Sequence, residues 1–166
     1  MLTLNCNAVT SKVLGDILLL MIIEVSNEHE TRALGQKIGS LLSGGETIEL
    51  TGDVGAGKTT FVKGLALGLG IDEDVQSPSF TISRVYDARD DLQLAHYDFY
   101  RLNDAGIMAN ELSETTQDPL TVTVIEWADI VEGVLPGNRL GIVFEAPTET
   151  SRKLTLEGPT ELLEKL

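Results

Sequence analysis

Between Gly52 and Thr59 the chain follows the pattern G-x-x-x-x-G-K-S/T, the Walker A loop. These residue types suit one task, the holding of a chain of phosphates. Glycine allows the backbone turns that bring successive N–H groups onto one anion. Lys58 is long enough to reach β- and γ-phosphate oxygens, and the Thr59 hydroxyl is a ligand for Mg²⁺. The run Asp53, Val54, Gly55, Ala56, Gly57, Lys58, Thr59 and Thr60 is therefore the expected cradle of a nucleoside triphosphate. Such a site also needs a carboxylate at the end of a neighbouring apolar strand, to hold Mg²⁺ directly or through water. Glu126 follows Val122-Thr123-Val124-Ile125, and Asp98 ends Leu92–Tyr97. A charge directly after a fully apolar strand requires a partner, which points to Glu126 for the metal. Asp98 qualifies by its spacing, and one of the pair is available to orient the attacking water. His96 reads as a strand residue with a satisfied ring rather than a catalytic base. Trp127 reads either as a stacking partner or as packing. Arg101 is expected to bridge to a carboxylate or a phosphate, or to pair at the surface. The hydroxyls of Ser77–Thr81 are available to sense a γ-phosphate.

The elements that must position these groups are legible around them. Thr47–Leu50 is β-prone, and from Lys58 the apolar residues Phe61, Val62, Leu65, Ala66 and Leu69 recur at helical spacing, with Gly70 as the stop. Upstream, Ile22–Val25 reads as a strand, Ser26 as an N-cap, and 27–42 as a helix with Ala33, Leu34, Ile38, Leu41 and Leu42 on its apolar face. Pro78 blocks any helix in Ser77–Phe80. Thr81–Tyr86 and Leu92–Phe99 form a hairpin around the acidic turn Asp87–Asp91. Asp104–Thr115 is a weak helix interrupted by Gly106, Val122–Ile125 a strand buried on both faces, and Asp129–Leu135 a short helix or turn. Leu140–Phe144 and Lys153–Leu156 make a closing hairpin before a short terminal helix over Pro159–Leu166. The sum is an α/β fold: a P-loop NTPase with a mixed β-sheet flanked by helices and a C-terminal β-hairpin.

At 166 residues, 42% hydrophobic and 23% charged, the chain suits one domain over residues 21–166. Residues 1–20 differ. The apolar run Val13–Ile23 is broken by Gly15 and Asp16, is too short to span a bilayer, and lacks a cleavage pattern. A leader outside the domain is the favoured reading of 1–20, and an extra strand on the sheet edge the alternative. Twelve basic against 26 acidic residues leave a formal charge of −14, which disfavours tight direct binding of nucleic acid. The lone cysteine, Cys6, excludes an intrachain disulfide and fits a reducing cytoplasm.

The N-K-x-D and D-x-x-G strings of small GTPases are missing, and six scattered arginines do not make the lid of a small-molecule kinase. An ATPase whose output is a conformational change fits better. A kinase, revealed by a phosphorylated acceptor, and a nucleotide-gated adaptor that binds without hydrolysis are the alternatives.

Four ordered motifs carry a resemblance: Gly52-Asp53-Val54-Gly55-Ala56-Gly57-Lys58-Thr59-Thr60, Ser77-Pro78-Ser79-Phe80-Thr81, His96-Tyr97-Asp98-Phe99-Tyr100-Arg101 and Glu126-Trp127. They resemble the GDLGAGKTT, SPTFT, H-x-D-x-Y-R and EW of the TsaE family. Glu28, Thr31, Leu34 and Gly35 resemble that family's E-x-x-T-x-x-L-G. The resemblance runs from about Met21 to Gly158. Departures are mild: Ser79 for threonine, Val54 for leucine, and Ala128 where proline is frequent. It implies a Mg²⁺-dependent bacterial ATPase of N6-threonylcarbamoyladenosine synthesis in tRNA, working with TsaD, which carries the transferase chemistry, and TsaB. tRNA is then met only through the complex, and no membrane is involved. Carried over by position, Lys58 and Thr59 hold phosphates and Mg²⁺, Glu126 helps bind Mg²⁺, and Asp98 is the Walker-B-like acid. Trp127 and the first turn of the 27–42 helix lie near the ATP, with Arg152 a further candidate there.

Overall fold

The lysine loop hangs between a strand and a helix, as its motif requires, and the rest of the fold is built around that junction. The computed structural model describes residues 5–12 and 17–166, with side chains from Leu19 onward. The strands are β1 (Asn5–Lys12), β2 (Ile17–Val25), β3 (Thr47–Thr51), β4 (Ser83–Asp87), β5 (Gln93–Asp98), β6 (Thr121–Glu126), β7 (Leu140–Glu145) and β8 (Arg152–Pro159). The helices are α1 (Glu28–Leu41), α2 (Lys58–Gly68), α3 (Met108–Thr115) and α4 (Thr160–Leu163). One mixed sheet runs β1-β2-β8-β7-β3-β6-β5-β4. Its centre, β7-β3-β6-β5, is parallel, and both flanks join it antiparallel.

Strand alternation sorts the sheet into two faces. Ile48, Leu50, Leu94, Val122 and Val124 enter the core under α1 and α2, while Ala95, Tyr97 and Ile125 pack with Leu112 of α3 and Val131 on the other side. Every residue of β6 is buried, as its apolar run predicts. The same alternation turns His96, Asp98 and Glu126 toward the α2 face.

Helices α1 and α2 meet backbone to backbone. A Cβ on Gly64 would lie 2.0 Å from the Arg32 carbonyl oxygen, and one on Gly39 2.2 Å from that of Leu65. No other residue fits that seam. At its far end Arg89 closes both helices at once: Nη1 donates to Gly68 O at 2.6 Å and Gly39 O at 3.4 Å, and Nη2 to Leu42 O at 2.8 Å and Ser40 O at 3.3 Å. Neither helix has a basic residue in its own last turn, so this guanidinium answers both sets of orphan carbonyls.

Several expectations change at their edges. The N-cap of α1 is Asn27, not Ser26. Asn27 Oδ1 accepts the Glu30 N–H at 3.0 Å, while the Ser26 N–H is itself taken by Glu30 Oε2 at 2.8 Å. Strand β2 starts at Ile17 rather than Ile22, because β8 supplies a partner from Leu18↔Pro159 to Val25↔Arg152. Within the described part of residues 1–20, β1 pairs with β2 from Asn5↔Glu24 to Lys12↔Ile17. Val13, Gly15 and Asp16 lie outside the described residues. The weak helix over Asp104–Thr115 shortens to α3, since Asp104 Oδ1 accepts the Gly106 N–H at 2.7 Å and closes a turn instead. Among the described residues no helix is long and apolar enough to cross a membrane.

Candidate functional site

The loop between β3 and α2 is shaped by its own backbone. The Ala56 N–H donates to Asp53 O at 3.1 Å, and Gly55 and Gly57 take φ of +82° and +106°, a region that favours glycine. Gly57 is the N-cap of α2, so no side chain caps this helix, and its first turn holds no acid. The N–H groups and positive dipole end at Lys58–Thr60 are therefore left for an anion from elsewhere. Arg152 braces the loop from β8, its Nε donating to Ala56 O at 2.8 Å and its Nη1 to Ser151 O at 2.7 Å.

Lys58, 6% exposed, donates from Nζ to Gly52 O at 2.6 Å and Asp53 O at 3.0 Å. The same nitrogen is 4.0 Å from Glu126 Oε2 and 4.9 Å from the centre of the Trp127 ring. Asp98 and Glu126 sit side by side at the carboxyl ends of β5 and β6, in direct register and each 3% exposed. That is where open α/β sheets bind ligands. Asp98 is held by three donors: Ser77 Oγ at 2.9 Å and Ser79 Oγ at 2.5 Å on Oδ2, and the Tyr100 N–H at 3.0 Å on Oδ1. Glu126 Oε1 lies 3.0 Å from His96 Nε2.

Two carboxylates and one ammonium, all nearly out of water, leave negative charge in excess, and a divalent cation is the natural complement. Among the described residues no cluster of three or more His, Cys, Asp or Glu side chains could hold a metal alone. Thr59, Asp98 and Glu126 all line the cavity with oxygens that could meet such a cation. The cavity is about 410 Å³, lined by Val54, Gly55, Gly57, Lys58, Thr59, Thr60, Ser77, Ser79, Asp98, Glu126 and Trp127, with Phe80, Tyr100 and Arg101 also on its wall. A second hollow of about 240 Å³ shares Gly55, Gly57 and Thr60 with it and is lined by Asn27, Glu28 and Thr31 of the α1 entry together with Arg152.

Of the loop residues singled out in the sequence, Val54, Gly55, Gly57, Lys58, Thr59 and Thr60 line the cavity together with both acids. Asp53 contributes its carbonyl, and Ala56 is buried. Trp127 takes φ of +59° as it leaves β6, and its ring rests 4.9 Å from that of Tyr100. Arg101, expected at an anion or in a surface pair, is on the wall of this cavity with its guanidinium 4.4 Å over the Phe80 ring. Sequence reasoning missed that Ser77 and Ser79 fasten their loop to Asp98. Their spacing was the available signal, since i and i+2 share a side of an extended segment and Pro78 keeps it extended.

A family model described as threonylcarbamoyl adenosine biosynthesis protein TsaE matches residues 25–154. The chain is 38% identical over 133 residues to the tRNA threonylcarbamoyladenosine biosynthesis protein TsaE of Bacillus subtilis (strain 168), covering 78% of this chain and 80% of that one. It is 39% identical over 128 residues to the protein of the same name from Treponema pallidum (strain Nichols), covering 77% and 93%. A crystal structure of Bacillus subtilis YdiB superposes with a TM-score of 0.72 at 32% identity, over 91% of this chain and 96% of that one.

Proposed function

The chain belongs to the TsaE family of threonylcarbamoyladenosine biosynthesis proteins, and from that premise we propose that it is a Mg²⁺-dependent ATPase required for N6-threonylcarbamoyladenosine modification of tRNA. The observation that carries this is the meeting of Lys58, Asp98 and Glu126 at the uncapped N-terminus of α2. The loop amides and Lys58 bind the triphosphate, with Asp53 to Thr60 as its cradle. Thr59 and Glu126 would hold Mg²⁺, which would supply charge neutralisation to the triphosphate. Asp98 or Glu126 orients the water whose oxygen attacks the γ-phosphorus as the bridging P–O bond breaks. The water proton passes to solvent or a carboxylate. Trp127 walls the site beside Lys58.

The protein acts with TsaD and TsaB in the cytoplasm and resets that assembly rather than transferring the threonylcarbamoyl group. Its charge of −14 supports contact with tRNA through the complex rather than alone. Turnover in isolation is slow, since Lys58 is the one ammonium of the loop and an arginine finger supplied by a partner is often worth ~1,000-fold or more.

Two measurements test this. Lys58→Ala abolishes ATP binding by titration calorimetry, whereas Glu126→Ala keeps binding and loses Mg²⁺-dependent turnover; undiminished affinity in the Lys58 variant would refute the site. Reconstitution with TsaD and TsaB yields modified tRNA only with ATP and this protein together. Rapid hydrolysis by the isolated protein, unchanged by those partners, would remove the partner-dependent part of the reading.

A further inference from the structure

The two site carboxylates are held very unequally. Asp98 receives three hydrogen bonds, from Ser77, Ser79 and the Tyr100 backbone, so losing one still leaves it fixed. Among the described residues, His96 supplies the one hydrogen bond that reaches the Glu126 carboxylate. The Lys58 ammonium stands farther off, at 4.0 Å and on the other oxygen. His96 is fully buried, opposite Val124 in the β5–β6 register, and among the described residues its Nδ1 has no partner. A half-satisfied imidazole in an apolar layer is a costly way to fill space, and a leucine would pack there without that cost. What the ring adds is its bond to Oε1. The tautomer follows from the same geometry: a proton on Nε2 donates to the carboxylate, whereas a proton on Nδ1 would set lone pair against lone pair and bury an unmatched donor.

We propose that His96 is a positioning residue for the site, clamping Oε1 of Glu126 so that Oε2 is presented to Lys58 and the cavity. The inference rests on the reading of Glu126 as a site carboxylate and adds the group that orients it. His96 itself touches no ligand. It acts as the outer partners of metal-ligating carboxylates do.

The test compares His96→Leu, which fills the space without a donor, with His96→Gln, whose Nε2 can occupy the ring Nε2 position and donate to the same oxygen. ATP binding is followed by the fluorescence of Trp127, the only tryptophan in the chain, with and without Mg²⁺, alongside steady-state turnover. In His96→Leu, Mg²⁺-free affinity stays within about twofold while the Mg²⁺ requirement and kcat worsen by roughly 10- to 100-fold, and His96→Gln recovers most of that loss. Independently, ¹⁵N NMR of the imidazoles, of which the chain has two, finds His96 protonated at Nε2. Wild-type behaviour in His96→Leu, equal impairment in both variants, or an Nδ1–H tautomer would each overturn the proposal. If His96→Leu does not fold, the glutamine variant and the tautomer decide. Should the wild-type protein itself show no Mg²⁺ effect, it is the ATPase reading that fails, and the tautomer still tests the clamp.

Discussion

Helices α1 and α2 lie against each other through glycine, share Arg89 at their C-terminal ends, and finish their N-termini in opposite ways. The N-terminus of α1 is closed from within. Asn27 caps it, Glu28 and Glu30 put negative charge into its first turn, and Glu30 takes the Ser26 N–H. The N-terminus of α2 has glycine at the cap and no acid in its first turn, and it opens on the cavity that also holds both buried carboxylates. Every α-helix begins with unsatisfied N–H groups and a partial positive charge. A helix that answers them with its own side chains gains stability, and one that leaves them bare keeps a place for an anion. The pair shows both outcomes within one packed unit, so the difference belongs to the two capping sequences and not to the surroundings.

The most drastic way to break the comparison is to part the helices. Gly64→Leu drives a side chain into the Arg32 backbone and costs about 3 kcal/mol or more in urea unfolding. In an exposed helix the same change would add about 1 kcal/mol of stability, so the sign alone tests the seam. Removing the shared end is milder. Arg89→Ala leaves carbonyls of both helices without their donor and lowers stability by about 2 kcal/mol, with hydrogen exchange faster in the last turns of α1 and α2 together. Loss of protection in one helix only would mean the guanidinium does not couple them. Asn27→Ala reopens the closed N-terminus and costs about 1 kcal/mol, read as a lower melting temperature. The finest probe fills the open N-terminus. Pyrophosphate at a concentration equal to its dissociation constant stabilises the protein by about 0.4 kcal/mol, and the gain vanishes in Lys58→Ala. A gain that survives in that variant would place the anion somewhere other than the α2 N-terminus.

How much of this was legible beforehand depended on how far apart the interacting residues lie. The α2 cradle spans eight consecutive positions, and its strand and helix adjoin it, so pattern and periodicity sufficed. Glu126 and Asp98 could be named because each ends an apolar strand. The α1 cap was misjudged by one residue because Ser26 and Asn27 are equally good caps on paper, and the reach of Glu30 decides between them. The extent of β2 was missed because its partner strand begins at Arg152, more than a hundred residues on.

The amino-acid sequence by itself determined the chemistry of the loop from Gly52 to Thr59, since glycine torsions, one lysine and one hydroxyl act over a single turn of chain. Tertiary structure alone decided what surrounds it. Register sets Asp98 beside Glu126, the strand pleat turns His96 toward the same face, and the glycine seam fixes where α2 can lie. Each of these is a distance between residues remote in the chain, set by strand pairing and helix crossing together, and no local pattern encodes it.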